Sequence, residues 1–208
     1  MTFEKLAGYI YLGVSAVVII TLAIVVYVLA KSPEYTSYEE KLMLKHECAK
    51  YNLIESTQAY IDSIAPMSGL EAIVLVDKCI EYNIDICFVL AQGQKESHFG
   101  TQGLARKTNS VWNVFAYDGL GHDEISSKGK YKTANASIEP YLKLLKNRYI
   151  KTSEFDLLDK FVDKDGNRYA STTNYEKDLR GIYERIKNET KIDIYSQEMK
   201  KYEMLLGK

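Results

Sequence analysis

The sequence has no excess of basic residues. Its 208 residues include 27 Lys and Arg against 28 Asp and Glu, which gives a formal net charge of −1. Binding of nucleic acid through counterion release needs a basic surface. The charge balance therefore argues against nucleic acid as a partner.

Cysteine and proline are also scarce, with three residues of each. Cys48, Cys79 and Cys87 are odd in number and lack CxxC spacing, so they predict neither a disulfide framework nor a zinc site. A single Cys79–Cys87 bridge stays open as the less favoured alternative. The three histidines are too scattered to form a ligand set, and we predict no metal and no cofactor. Tyrosine, by contrast, occurs 17 times, and its rings suit either sugar stacking or core packing.

One long hydrophobic run is present near the amino terminus. No charged residue interrupts positions 7–30, and thirteen of these positions are Leu, Ile or Val. Each contributes roughly −0.3 to −0.6 kcal/mol to membrane insertion, and more than 20 apolar residues suffice to cross a bilayer. We expect a transmembrane helix over 7–30, which makes the lipid bilayer a partner. A cleaved signal peptide and a buried core helix are the alternatives.

The sequence pattern of the rest of the chain predicts helices. Residues 31–50 are expected to form a linker and the start of a first helix, 51–190 the main domain and 191–208 a carboxyl-terminal helix. Ser68 and Glu71 have capping-box spacing before one helix. Asp85 can cap the next helix, and His98-Phe99-Gly100 is expected to end it. Amphipathic patterns over 137–150 and 174–206 predict further helices. The fold class is all-α, with at most a small β-hairpin.

Glu96 is the most promising catalytic residue. It lies near the end of the helix predicted over 85–97 and continues a face that includes Gln92 and Val89. Burial raises the pKa of a carboxyl group, and a glycosidase needs an acid that is still protonated near neutral pH. A surface glutamate paired with lysine is the alternative, and helix position alone favours that alternative. His98 is not expected to act as a base, because consecutive helical residues diverge by about 100°.

The segment from Ala91 to Gly119 resembles the glucosaminidase family of peptidoglycan hydrolases, which contains autolysin and flagellar cell-wall glucosaminidases. That family has Ala-Gln four residues before Glu-Ser, then an aromatic residue and Gly, then Leu-Ala and an Asn-rich segment. The matching residues here are Ala91, Gln92, Glu96, Ser97, Phe99, Gly100, Leu104, Ala105 and Asn109. A later match leads from Lys130-Tyr131 and Ser137-Ile138 to Tyr169-Ala170 and Tyr175. The family's usual Asn-Asn-Leu-Phe-Gly is Asn109-Ser110-Val111-Trp112-Asn113 here, and its Asp-Pro is replaced around Thr173. These departures bear on the inference about substrate fit and not on the identity of the acid.

The resemblance implies a lysozyme-like helical domain and a set of site residues. Glu96 would be the general acid, Tyr169 and Tyr175 active-site tyrosines, and Glu124 the first choice for a second carboxylate among Asp118, Asp123, Glu124 and Glu139. Core packing is the alternative for both tyrosines and for Trp112, and Glu139 is better explained as the start of a helix. Substrate-binding candidates are Gln92, Phe99, Asn109, Trp112, Asn113, Tyr117 and Asn174. A faint likeness of residues 163–168 to a calcium loop fails, because Arg168 stands where glycine is required.

The expected function is hydrolysis of the glycan strand of peptidoglycan after N-acetylglucosamine, by a membrane-anchored enzyme. Its catalytic domain would lie outside the cytoplasm, on the periplasmic or cell-wall side, and either a cell or a phage could encode it. A muramidase or lytic transglycosylase is the nearest alternative, because such enzymes also have Glu-Ser followed by an aromatic residue. A non-catalytic, glycan-binding or structural component of a phage particle or secretion system is the alternative of another class.

Overall fold

The computed structural model describes residues 37–114 and 129–207, and within these ranges the fold is helical. The predicted transmembrane helix at 7–30 lies outside them. No helix in the two described ranges is both long enough and apolar enough to cross a membrane. The all-α prediction is confirmed there, since the only sign of a hairpin in those ranges is an isolated antiparallel bridge between Val162 and Arg168.

Seven α-helices make up the described chain. They are α1 (Tyr38–Ile64), α2 (Ala72–Tyr82), α3 (Ile86–Ser97), α4 (Ala105–Thr108), α5 (Ile138–Leu144), α6 (Tyr175–Glu189) and α7 (Ile192–Leu205). Short 3₁₀ turns span Asn135–Ser137 and Glu154–Leu158, and a π turn spans Leu145–Tyr149. The single helix predicted over 137–150 is thus a succession of 3₁₀, α and π geometry.

The first helix begins earlier than the expected domain start at Tyr51. Ser37 and Glu40 form a capping box, in which each side chain accepts a hydrogen bond from the other residue's backbone N–H. The helix runs without interruption from Tyr38, and Leu42 and His46 are already buried. Residues from 38 onward are therefore helical and contribute buried side chains.

Helix α3 is the central helix, with ten of its twelve residues buried. The Asp85 side chain accepts a hydrogen bond from Phe88 N at 2.9 Å, so the predicted amino-terminal cap is confirmed. His98 ends the helix in the left-handed conformation, as the sequence predicted. Helix α6 packs along α3, and α7 packs on α1 and α3. This arrangement surrounds the helix that carries Glu96 with apolar side chains over most of its length.

The capping box predicted at Ser68 and Glu71 is wrong. Helix α2 begins at Ala72 with Glu71 as its N-cap, and the Glu71 side chain makes no capping bond. The Ser68 hydroxyl instead donates to Phe99 O at 2.7 Å and accepts from Leu70 N at 3.2 Å. A contact with the turn after α3 has therefore replaced the local cap.

Cys79 and Cys87 are buried free thiols, so the alternative of a bridge between them is not realised. Burial raises the pKa of both thiols well above the ordinary value, which makes them poor nucleophiles.

Candidate active site

Glu96 lies in the last turn of α3, at the point where the buried helix reaches the surface. Its Oε1 accepts a hydrogen bond from the Tyr175 hydroxyl. Its Oε2 lies 3.4 Å from Asn113 Nδ2, which also donates to the Glu96 backbone carbonyl at 3.0 Å. The carboxyl group is thus held between the start of α6 and the turn at residues 110–114.

The environment of Glu96 favours its protonated form. Burial raises the pKa of the carboxyl above its ordinary value, and this effect outweighs the lowering by Tyr175, Asn113 and the charge of Lys95. The carboxyl end of a helix disfavours a negative charge and so acts in the same direction as burial. An acid in this state is suited to giving a proton to a substrate.

Both tyrosines of the late motif lie beside Glu96. Tyr175, the first residue of α6, is buried, and its ring centre is 5.4 Å from that of Tyr169. Tyr169 stacks on Phe161 at 4.4 Å, and its hydroxyl donates to Trp112 O at 3.5 Å. Burial raises the pKa of both phenols well above the ordinary value. They therefore act near neutral pH as O–H groups rather than as phenolates.

Lys95 lies beside Tyr175, on the solvent side of Glu96 and the two tyrosines. Lys95 Nζ lies 4.9 Å from the centre of the Tyr175 ring and forms an ion pair with Asp178 at 2.9 Å. The pairing joins α3 to α6 directly beside the acid. It also keeps a positive charge near Glu96.

The residues after Glu96 fix the turn that follows. The Ser97 hydroxyl donates to Val111 O at 2.6 Å and accepts from Gly100 N at 2.7 Å. His98, Phe99 and Gly100 are all left-handed, with φ of 45°, 53° and 84°. Only glycine adopts this conformation without cost, so the Glu-Ser-x-aromatic-Gly pattern encodes a tight turn.

Three predicted substrate-binding residues have no exposed surface. Gln92, Phe99 and Trp112 are each 0% exposed. Trp112 stacks on Tyr141 with ring centres 4.5 Å apart, and its Nε1 donates to Val89 O at 3.1 Å. A sugar platform needs an accessible ring face, so that expectation is wrong for Trp112 and the packing alternative describes it. Gln92 and Phe99 likewise support the site from behind.

The asparagines have distinct positions. Asn109 and Asn113 are both left-handed, with φ of 55° and 50°, a conformation that asparagine tolerates well. Asn109 Nδ2 donates to Tyr131 O at 2.9 Å and so fixes a loop, whereas Asn113 contacts Glu96. Asn174 is exposed at the start of α6, beside Tyr175. Substrate contacts of these residues stay predictions.

The candidates for a second carboxylate are not brought to Glu96 within the described residues. Tyr117, Asp118, Asp123 and Glu124 lie outside those residues. Glu139 lies in the first turn of α5, as expected, where Lys143 and Tyr82 bind it and lower its pKa. Besides burial, the groups with the largest effect on the pKa of Glu96 are the Tyr175 and Tyr169 hydroxyls, the Asn113 amide and Lys95. No group of acidic, histidine or cysteine side chains in ranges 37–114 and 129–207 could hold a metal ion.

Two residues that support the site, Gly93 and Tyr141, were not predicted from the sequence. A methyl group added to Gly93 would lie 3.1 Å from Trp112 Nε1 and 3.2 Å from Phe99 Cδ1, so glycine permits this close packing. A glycine inside a helical pattern was the available signal. Tyr141 donates to Gln92 Oε1, and nothing in its local sequence marks it.

Comparison with known proteins found one family match. The glucosaminidase family model, described as mannosyl-glycoprotein endo-beta-N-acetylglucosaminidase, matches residues 74–188, which is more than half of the 208-residue chain. None of the curated proteins and none of the solved structures compared with the chain matches it. The family match spans Glu96, Asn113, Tyr169 and Tyr175, the residues that meet in the site. On this evidence the chain belongs to the glucosaminidase family of peptidoglycan hydrolases.

Proposed function

We propose that this protein is an endo-β-N-acetylglucosaminidase that cuts the glycan strand of peptidoglycan, with Glu96 as its general acid. The observation that carries the proposal is the environment of Glu96. Its carboxyl group is partly buried at the end of α3, receives a hydrogen bond from Tyr175, and has a raised pKa. A glycosidase acid needs these properties.

The proposed reaction begins with proton transfer from Glu96 to the glycosidic oxygen. The bond between that oxygen and the anomeric carbon breaks as the proton arrives, and positive charge develops on the sugar ring. A water molecule or the substrate's own acetamido oxygen then attacks the anomeric carbon. If water attacks directly, the proton that it loses goes to a base, which can be the Glu96 carboxylate left by the first step. In the second case water later opens the cyclic intermediate, and the proton that this water releases returns to Glu96.

Attack by the acetamido group suits the described part of the site. The groups with the largest effect on the pKa of Glu96 there are two hydroxyls, an amide and a lysine, and N-acetylglucosamine carries an internal nucleophile beside the anomeric carbon. Glu124 stays the proposed alternative from the sequence. A separation from Glu96 of about 5 to 5.5 Å would imply retention, and one of roughly 6.5 to 9.5 Å inversion.

Tyr169 and Tyr175 are proposed to assist by hydrogen bonding. Tyr175 donates to Glu96, and the Tyr169 ring lies against Tyr175. A neutral phenol can orient a water molecule or an acetamido group. Asn113 is proposed to hold Glu96 in its rotamer, because its amide contacts both the side chain and the backbone of that residue.

We further propose that residues 7–30 anchor the enzyme in a membrane, with the catalytic domain on the wall side. Support comes from the uninterrupted apolar run and from the substrate, which lies outside the cytoplasmic membrane. Fractionation of cells that express the full chain tests this arrangement. Retention in the membrane pellet after a carbonate wash supports it, and release into the soluble fraction contradicts it.

Digestion of purified peptidoglycan by the full chain tests the proposed bond specificity. Mass spectrometry of the released fragments should find N-acetylglucosamine at the reducing end. A reducing-end N-acetylmuramic acid would instead identify a muramidase, and an anhydro sugar a lytic transglycosylase. Binding without release of fragments would support the non-catalytic role.

A further inference from the structure

A chain of hydrogen bonds with a single direction lies behind Glu96. The Tyr141 hydroxyl donates to Gln92 Oε1, and Gln92 Nε2 lies 3.4 Å from the Tyr175 hydroxyl oxygen, to which it donates. Tyr175 in turn donates to Glu96 Oε1. Helices α5, α3 and α6 each supply a member of this chain.

The two ends of the Gln92 amide explain the direction. The amide oxygen only accepts hydrogen bonds and the amide nitrogen only donates them. Because Tyr141 donates to the oxygen, the nitrogen faces Tyr175. The Tyr175 oxygen then accepts from Gln92, and its single hydrogen is left for Glu96.

The surroundings keep this arrangement rigid. Gln92 is 0% exposed and Tyr141 is 1% exposed, so water does not compete for their polar atoms. The Tyr141 ring stacks on Trp112 at an interplanar angle of 7°, and Trp112 is itself bonded to Val89 O on α3. Buried polar groups of this kind hold their partners firmly, because an unsatisfied amide would be costly.

We propose that Gln92 and Tyr141 are positioning residues, which direct the Tyr175 hydroxyl toward Glu96 Oε1 and thereby leave the transferable proton on Oε2. This inference rests on the proposed role of Glu96 as general acid. Oε1 accepts the Tyr175 hydrogen bond, whereas Oε2 receives only the 3.4 Å contact from Asn113 Nδ2. Asn113 can keep its shorter bond to the Glu96 backbone carbonyl when Oε2 carries the acidic hydrogen, so a proton on Oε2 leaves the chain intact. Neither Gln92 nor Tyr141 contacts the substrate in this account.

The effect on Glu96 follows from the competition for the Tyr175 hydrogen. In a Tyr141→Phe variant the Gln92 amide is free to turn its oxygen toward Tyr175. The Tyr175 hydrogen is then shared between Gln92 and Glu96, and the Glu96 carboxylate loses part of a stabilising donor. The other titratable groups that face this carboxyl are Lys95 on α3, Tyr169 before α6 and Tyr141 itself on α5. Lys95 and Tyr169 are not substituted in the variant, although Tyr169 also interacts with Gln92.

The test is a titration of the Glu96 side-chain carboxyl carbon by NMR in the full chain without substrate. Tyr141→Phe keeps the ring that stacks on Trp112 and should raise the pKa of Glu96 by about one unit, the size expected for partial loss of a hydrogen bond to a charged group. The basic limb of the rate–pH profile on peptidoglycan should move upward by the same amount. Tyr60→Phe is a matched control, because it removes a tyrosine hydroxyl that donates to Gln94 on the same helix. This control should leave the pKa of Glu96 unchanged.

A double-mutant comparison separates positioning from a purely structural role. Gln92→Met removes the competing amide oxygen, so adding Tyr141→Phe to it should no longer raise the pKa of Glu96. The inference is overturned if Tyr141→Phe alone leaves that pKa unchanged, if Tyr60→Phe raises it equally, or if the rise persists beside Gln92→Met. The titration requires no catalysis. Failure of the proposed function, seen as unchanged wall digestion by Glu96→Gln, is therefore a separate result.

Discussion

Glu96 experiences two opposing influences on its charge. Burial and the helix carboxyl end favour the neutral carboxyl, whereas the Tyr175 hydroxyl and the Asn113 amide favour the carboxylate. Burial dominates, so the proton is retained above the ordinary pKa of a glutamate. The two donors limit the rise in pKa and fix the geometry of the group.

Removing the Tyr175 hydroxyl should change both the pKa of Glu96 and the rate of catalysis. Tyr175→Phe deletes the donor to Glu96 Oε1, so the pKa of Glu96 should rise and kcat/KM at the optimum should fall by roughly ten- to a hundredfold, the loss of about 1.5–3 kcal/mol. Rates of peptidoglycan digestion across pH measure both effects. Tyr51→Phe, on an exposed tyrosine, serves as the control. Unchanged kinetics in Tyr175→Phe would remove this hydroxyl from the mechanism.

Substitution of Gly93 by alanine should destabilise the fold. The added Cβ of Gly93→Ala would press on Trp112 and Phe99, which are fully buried. Overpacking of this kind costs about 1–3 kcal/mol, more than the roughly 1 kcal/mol that alanine contributes to a helix. Gly181→Ala in α6 is the matched control, because its Cβ would meet nothing within 4 Å. Urea unfolding should find the first variant less stable and the second more stable, and equal shifts would contradict the packing argument.

At the scale of elements, predictions from sequence succeed where the determinant is local. Asp85 and the His98–Gly100 turn bound α3 as expected, because each acts within a few residues of the helix end. Ser68 was misassigned because its hydroxyl is used by Phe99, 31 positions away. Trp112 was placed on the surface as readily as in the core, because its burial depends on Tyr141 and Gly93 from other parts of the chain.

The loop that leads to Tyr169 is organised by one carboxylate. Asp163 is 1% exposed and accepts hydrogen bonds from Asp165 N, the Asn167 backbone and side-chain amides, and Arg148. These bonds, chiefly that from the Asn167 side chain, lower the pKa of Asp163 to about 2. The Val162–Arg168 bridge joins the two ends of the loop, and Tyr169 follows directly, so the loop geometry places an aromatic ring of the site.

The stability supplied by Asp163 should depend on pH with a defined sign. The folded state favours the ionised carboxyl, so the contribution is complete above the ordinary aspartate pKa of about 3.9 and is lost as the pH falls toward 2. Asp163→Asn should therefore lower the urea midpoint at pH 7 and change it much less at pH 2. Asp165→Asn, on an exposed side chain, should change little at either pH. An equal deficit for Asp163→Asn at both values would contradict the assignment.

For the whole molecule, the folded unit is larger than the family match. Helix α1 and all of α7 lie outside residues 74–188, yet they pack on each other and on the central helices. The sequence predicted both helices but not that they pack on each other. The amphipathic pattern of a helix shows which face is buried, but it does not show which element that face contacts. The motif residues Glu96, Tyr169 and Tyr175 do lie together, but the sequence did not indicate that Gln92, Phe99 and Trp112 would be buried.

Helix α7 should contribute to the stability of the whole unit. Met199 is 2% exposed in the space bounded by Leu53, Val76 and Ile84, and Met199→Ala should cost about 2–5 kcal/mol. Met204→Ala, on a side chain that is 76% exposed in the same helix, should cost little. Thermal unfolding of the full chain compares the two variants. Equal melting temperatures would show that α7 is not part of the cooperative unit.

The rate of peptidoglycan digestion by Glu96→Gln tests most directly whether Glu96 is the general acid. Glutamine keeps the shape of the side chain and can accept the Tyr175 hydrogen bond, but it has no proton to give. The rate should fall by roughly 10²–10⁴-fold. The melting temperature at pH 7 should not fall, because the native environment disfavours the charged carboxyl that the substitution removes. Digestion at the rate of the unmodified chain, with the fold intact, would contradict the assignment of Glu96 as the acid.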